Sequence, residues 1–296
     1  MTPGPALSVL VPMDDPRGDA LHHLASWTTG QHAHDGDHRV VVGVPAGADP
    51  APLRSVLRAG DAVAVAEPGS GVMGCWQAAA LGATTPWSFP TENHCIAVPD
   101  AVATLLRRID EHGALDAFAV GHGHVAGTAT GATSAAWFDG VYAEWRRLDW
   151  VRLNLTGFGI RTALLRDRAL GFDARYGLFA PVLLSALLHE RGHATAAFDD
   201  VLSDHVHPTT LHDHHGMTEA FVLGECRARE EHPAELCDRY FGHADVLANR
   251  RLLDRAVAAQ VRRDVRAVAG RGAAGARLSA RSVAGPACER AVAAAA

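Results

Sequence analysis

The chain of 296 residues contains no lysine; all 27 of its basic residues are arginine. That absence excludes a lysine Schiff base, a pyridoxal anchor and a phosphate-loop lysine. Cysteine is sparse. Cys75, Cys95, Cys226, Cys237 and Cys288 are odd in number and form no CxxC pair, which argues against a disulfide framework and against a zinc ribbon. No uninterrupted apolar run reaches the roughly 18 residues that a bilayer span requires. The segment Met1–Met13 lacks a basic stretch followed by a long apolar one. The reading is therefore a chain without a signal peptide or transmembrane segment, and a cytoplasmic protein.

What is present is apolar enough to fold. Hydrophobic residues make up 48% of the chain, sufficient for a full core. The net charge of −6 is unevenly spread. From Asp245 onward ten arginines face four acidic residues, so the preceding part carries −12. An acidic body of that kind is a poor partner for nucleic acid.

Short apolar runs alternate with helical patterns. Leu7–Val11, Arg39–Val44, Ala62–Ala66, Trp87–Phe89 and Ala117–Val120 read as strands. Asp19–Trp27, Pro52–Leu57 and Gly74–Gly82 read as helices between them. Val102, Leu105, Leu106 and Ile109 fall at i, i+3, i+4 and i+7, marking an amphipathic helix. Pro181 opens a further helix whose buried stripe is Leu183, Leu184, Leu187 and Leu188, with Gly192 as its C-cap. This alternation predicts an open, mostly parallel, Rossmann-like α/β sheet flanked by helices. The expected domain covers residues 1–240. Residues 241–296 form an Arg/Ala-rich helical tail with Val246, Leu253, Val257, Val261 and Val265 on one face, fraying from Gly270. That helix is where a homodimer contact is expected.

In open α/β sheets ligands bind beyond the carboxyl ends of strands. Three segments end there: Pro12–Asp15, Pro45–Asp49 and Pro90–Cys95. In the third, Glu92 and His94 are two residues apart. If extended, they point to one side and share a divalent cation, with Asn93 turned away. A carboxylate with an imidazole suits Mn²⁺ or another transition metal better than Ca²⁺. The bland alternative is a polar strand end facing water. Trp76 could stack on a base or sugar, or belong to the core. Gly121–His124 reads as a turn after a strand, with a cleft border as the alternative. His205, His207, His212, His214 and His215 crowd one segment, to be read as metal ligands or as a solvated loop.

The order of segments resembles a family. Ser8–Pro12 (SVLVP), a helix, and Val40–Asp49 (VVVGVPAGAD) are similar to the start of a family 2 glycosyltransferase with the GT-A fold. Glu67–Gly82 resembles the stretch before that family's metal motif, and Phe89–Val102 falls where its Asp-x-Asp motif lies. Leu170–Asp173 is similar to the acceptor-side Gly-Phe-Asp segment, Leu183–Gly192 to the helix after it, and Val201–His205 to a strand whose closing His can join the metal site. The resemblance covers residues 7 to about 225.

This resemblance implies an inverting, metal-assisted transfer from a nucleotide-diphosphate sugar to an unidentified acceptor, with Mn²⁺ or Mg²⁺ as cofactor. It places Pro12, Met13, Asp14, Pro45 and Trp76 at the nucleotide-sugar and Glu92, His94 and His205 at the metal. Asp173 is the candidate base. The chain departs from the family in three places. Val44-Pro45 replaces a base-binding Asp, Glu92-Asn93-His94 replaces Asp-x-Asp, and Phe179-Ala180-Pro181 replaces the Glu-Asp pair that supplies the base. Those departures keep two rivals open: a GT-A-fold protein that binds a nucleotide or partner without turnover, and a metal-dependent enzyme of another reaction class.

Overall fold

A computed structural model describes residues 4–14, 19–33, 36–127, 129–207, 221 and 223–241. The chain divides into two compact units. The first comprises residues 1–124 and 145–206, and the second residues 125–144 and 207–296.

The first unit is built on a sheet of eight strands: β1 (Leu7–Pro12), β2 (His38–Val44), β3 (Ala62–Val65), β4 (Trp87–Pro90), β5 (Cys95–Ala97), β6 (Ala117–Val125), β7 (Phe158–Arg161) and β8 (Thr195–Val206). Their order is β3-β2-β1-β4-β7-β6-β8-β5. The strands β3, β2, β1 and β4 run parallel. Beyond them the pairs β4/β7, β7/β6 and β5/β8 are antiparallel. The expected parallel α/β core is thus the N-terminal half of a mixed sheet. Every residue of β1 is buried, as in a strand covered on both faces. The edge strand β3 alternates half-buried and exposed positions instead.

Helices α1 (Asp19–Trp27), α2 (Gly71–Gly82) and α3 (Ala101–Glu111) follow β1, β3 and β5. The helix α2 lies very close to β2: a Cβ on Gly43 would stand 1.8 Å from the Cys75 carbonyl oxygen, so only glycine fits there. On the other face Trp27 packs against Phe89 and Trp87 against Phe118 in tilted pairs, with ring centroids 5.4 and 5.6 Å apart. Each such buried ring contributes on the order of 1.5–3 kcal/mol by burial. Buried hydroxyls on β1 and β4 are paired with hydroxyls outside those strands. Thr85 donates its hydroxyl to Ser8 Oγ at 2.7 Å, and Ser88 meets Thr162 at 2.8 Å.

Some local expectations change. The helix expected at Pro52–Leu57 is a 3₁₀ turn over Ala51–Ser55, with proline at its start. Gly121–His124 is not a turn: β6 runs through it to Val125. The helix α4 (Ala129–Trp145) was unforeseen because its Ala, Gly and Thr residues carry almost no apolar periodicity. A short α5 (Thr162–Arg166) leads to α6 (Ala180–Glu190), where every residue from Ala180 to Leu188 is buried. The stretch Arg168–Glu190 is long and apolar enough to pass as a membrane span by composition, yet 78% of its apolar window is buried and Gly177 breaks it at φ 50°.

In the second unit the described part holds α4 up to Glu144, a helical stretch over 223–231 and a helix at Ala234–Tyr240. Arg229 bridges Glu225 at 2.8 Å and donates to the Phe241 carbonyl, closing that helical pair. The expected tail helix, its homodimer contact and His212, His214 and His215 lie outside the described residues.

Candidate metal centre

The chain is fixed one residue before Glu92. Thr91 N–H continues the β4/β1 ladder by donating to Leu10 O at 3.0 Å. Thr91 Oγ1 donates to Thr156 O at 2.9 Å, and Thr91 O accepts from the Trp76 indole at 3.0 Å. A tight turn then reverses the chain, with Cys95 N–H donating to Glu92 O at 3.2 Å. Strand β5 follows and pairs with β8 so that Cys95 stands opposite His205. Val206 N–H donates to His94 O at 3.0 Å, and the His23 ring lies 2.9 Å from Asn93 O.

This clamped turn brings Glu92, His94 and His205 together. Glu92 Oε2 is 3.3 Å from His205 Nε2 and 3.5 Å from His94 Nε2, and the two Nε2 atoms are 2.9 Å apart. The side chains are 3%, 15% and 34% exposed for His205, Glu92 and His94, so the group is buried at one end and open at the other. Two imidazole nitrogens at that distance need a proton or a cation between them. Donors about 2.0–2.2 Å from a common ion stand roughly 2.9–3.5 Å apart for cis octahedral to tetrahedral geometry. The three separations span that interval, so the donor set fits a transition-metal ion. Burial pushes the Glu92 carboxyl above the usual carboxylate range, against the pull of His94 and the Cys95 thiol, so a neighbouring positive charge would relieve a real cost.

Glu92 and His94 meet for a different reason than the one expected. They do not alternate along an extended segment; the turn folds one toward the other. Asn93 is not turned away either. Its side chain lies between His94 and Asp14. Sequence reasoning also missed Cys95, whose Sγ is 3.9 Å from Glu92 Oε2. Burial, then the Glu92 charge, push that thiol well above its usual value. On β6, His122 has its ring 6.0 Å from that of His205, and His124 is 5.1 Å from His122. The alternating Gly-His-Gly-His pattern was the available signal, since residues i and i+2 of a strand share a face.

The remaining expected residues are placed as follows. Pro12 ends β1 opposite Gly43, and Met13 N–H donates to Gly43 O at 2.7 Å with its side chain fully buried. Asp14 is exposed beyond that strand end. Pro45 opens the turn after β2 and accepts from Ala48 N–H at 3.1 Å. Of the two readings of Trp76 the core one holds: the residue is 1% exposed, so its ring offers no open face to a base, and its indole N–H holds Thr91 O. Asp173 is engaged as a cap, its Oδ1 accepting from Arg175 N–H at 2.9 Å and facing the Arg175 guanidinium at 3.3 Å. His207 belongs to the second unit.

No protein-family model matches the sequence, and no curated protein matches it. Solved structures do match in fold. A mannosyltransferase from Pyrobaculum calidifontis, in complex with GDP-Man and Mn²⁺, is 17% identical with a TM-score of 0.56, covering 99% of this chain and 80% of that one. S. aureus TarS residues 1–349 with UDP-GlcNAc is 16% identical at 0.54, covering 80% and 73%. Of the longer TarS chain the alignment spans 44%. Glucosyl-3-phosphoglycerate synthase from Mycobacterium tuberculosis, with Mn²⁺, UDP and phosphoglyceric acid, is 13% identical at 0.50, covering 78% and 80%. The chain therefore has the GT-A fold and is glycosyltransferase-like in architecture.

Proposed function

We propose that the protein is a glycosyltransferase that takes a nucleotide-diphosphate sugar and holds a divalent transition metal, Mn²⁺ first, on Glu92, His94 and His205. The observation that carries this reading is the convergence of one carboxylate oxygen and two imidazole nitrogens within 3.5 Å, beyond a strand end of a GT-A sheet. Bound there, the cation would offset the negative charge that builds on a leaving diphosphate without requiring a proton. Glu92 supplies the only anionic ligand of the three, so the nucleotide's own charge completes the site. Pro12, Met13, Asp14 and Pro45 line the ends of β1 and β2, where the nucleotide would lie. Inversion at the sugar carbon follows from the family resemblance, and the acceptor hydroxyl must lose its proton to a base.

Calorimetry of UDP and GDP, with and without Mn²⁺, in wild type and Glu92→Ala tests the proposal. Metal and nucleotide should each raise the other's affinity by the same factor in wild type. Glu92→Ala should abolish that coupling. Equal nucleotide affinity in all arms would overturn the metal reading.

A second reading, nucleotide binding without turnover, is favoured by one observation. The α6 helix opens with Phe179-Ala180-Pro181 and no acidic residue in its first turn, while Asp173 serves as a cap. Incubation with radiolabelled nucleotide sugars and Mn²⁺ separates the two, since a pure binder releases no nucleoside diphosphate.

A further inference from the structure

We infer that Asn93 is a positioning residue that fixes the tautomer of His94 and ties it to the β1 end of the sheet through Asp14. The inference rests on the metal reading above for its consequence, but its structural core stands apart from it. The Asn93 side chain makes two contacts: its Nδ2 donates to Asp14 Oδ1 at 3.1 Å, and its Oδ1 lies 3.0 Å from His94 Nδ1. Its own carbonyl is held by the His23 ring at 2.9 Å, so the residue cannot drift.

The chemistry of the three groups leaves one consistent arrangement. An ionised carboxylate only accepts hydrogen bonds. Asp14 therefore requires the NH₂ end of the Asn93 amide. The amide oxygen must then face His94, and an oxygen there requires a proton on His94 Nδ1. Neutral imidazole carries one proton, so Nε2 is left as a lone pair. That is the atom 2.9 Å from His205 Nε2 and 3.5 Å from Glu92 Oε2. The carboxylate of Asp14 thus sets which nitrogen of His94 is presented, although the two side chains share no contact of their own. Partners of this kind fix the ring and the basicity of a ligating histidine.

The test uses the full chain. Nitrogen-15 NMR of the histidines at about pH 8, where an ordinary imidazole is neutral, reads the His94 tautomer without metal, with His94→Gln to assign its signals. Mn²⁺ alone, titrated by calorimetry, reads the consequence. Wild type should be almost wholly the Nδ1–H form. Asn93→Ala should give a mixture and weaken Mn²⁺ binding by about 10–100-fold. Asn93→Asp alone keeps an acceptor for His94 Nδ1–H but loses the donor to Asp14 and repels its carboxylate. Combined with Asp14→Asn, which returns the donor, it should restore both readings, while Asp14→Ala frees the amide to flip and should mix the tautomers. An Asn93→Ala variant that melts like wild type and keeps the same tautomer overturns the inference. If wild type binds no Mn²⁺, the metal reading falls, and the tautomer measurement still decides the role of Asn93.

Discussion

His94 Nε2 and His205 Nε2 lie 2.9 Å apart across 111 residues of chain. The antiparallel register of β5 and β8 makes this contact, since Cys95 pairs with His205 and Val206 N–H reaches back to His94 O. The contact exists only once the sheet is closed.

The first prediction follows from it. Mn²⁺ at about a hundred times its Kd should stabilise wild type by roughly 2.7 kcal/mol. His205→Ala removes the most buried ligand and should show no metal-dependent rise in melting temperature, nor any fall on adding a chelator. Equal shifts in the two proteins would place the ion elsewhere.

Asp61 is a structural counterpart. Its carboxylate accepts from Val40 N–H at 2.7 Å, from Arg58 N–H at 2.8 Å and from the Arg58 guanidinium at 3.0 and 3.1 Å. Burial alone would raise its pKa, but these hydrogen bonds outweigh burial and hold the carboxyl below the usual range. A folded-state value below the unfolded one means that the native state binds this proton less readily. The stabilisation is therefore complete above the unfolded value of about 3.9 and is lost as pH falls through the lower folded value. Asp61→Asn should cost about 3 kcal/mol near neutrality and flatten that acid limb. Urea melts across the acid range check both; an unchanged acid limb would remove Asp61 from the account.

Gly43→Ala tests the closeness of α2 and β2. The added methyl meets the Cys75 backbone rather than a flexible side-chain end, so the helix itself must move. A loss of about 1–3 kcal/mol is expected from such overpacking. A urea midpoint indistinguishable from wild type would mean that the helix can shift freely.

Asp173 separates a cap from a base. Asp173→Ala should cost about 1 kcal/mol by removing the N-cap, while Asp173→Asn, an equally good cap, should stay within a few tenths. If the asparagine variant melts like wild type yet loses transfer activity by orders of magnitude, the carboxylate is the base after all.

The sequence by itself determined β1, β2, β3, β4 and β6, the helices α1, α2, α3 and α6 and, by resemblance, the GT-A order, because apolar runs and periodicities are local signals that each segment carries alone. The short β5 and β7 and the weakly patterned α4 and α5 carried no such signal. It also determined the chemistry at one strand end, since Glu92 and His94 are near neighbours in the chain. It could not decide what those side chains meet. The meeting of Glu92 with His94 depends on a turn held by Thr91, Trp76 and His23, and the arrival of His205 on a strand register. Trp76 shows the same limit from the other side: an aromatic on a helix can face a ligand or a core, and only the Thr91 carbonyl waiting inside decided for the core. Asn93 was invisible as a positioning residue because Asp14, which orients its amide, is 79 residues earlier. Pattern along the chain records burial and backbone preference. Pairing between distant polar atoms is set by how strands register and pack, and that is decided in three dimensions.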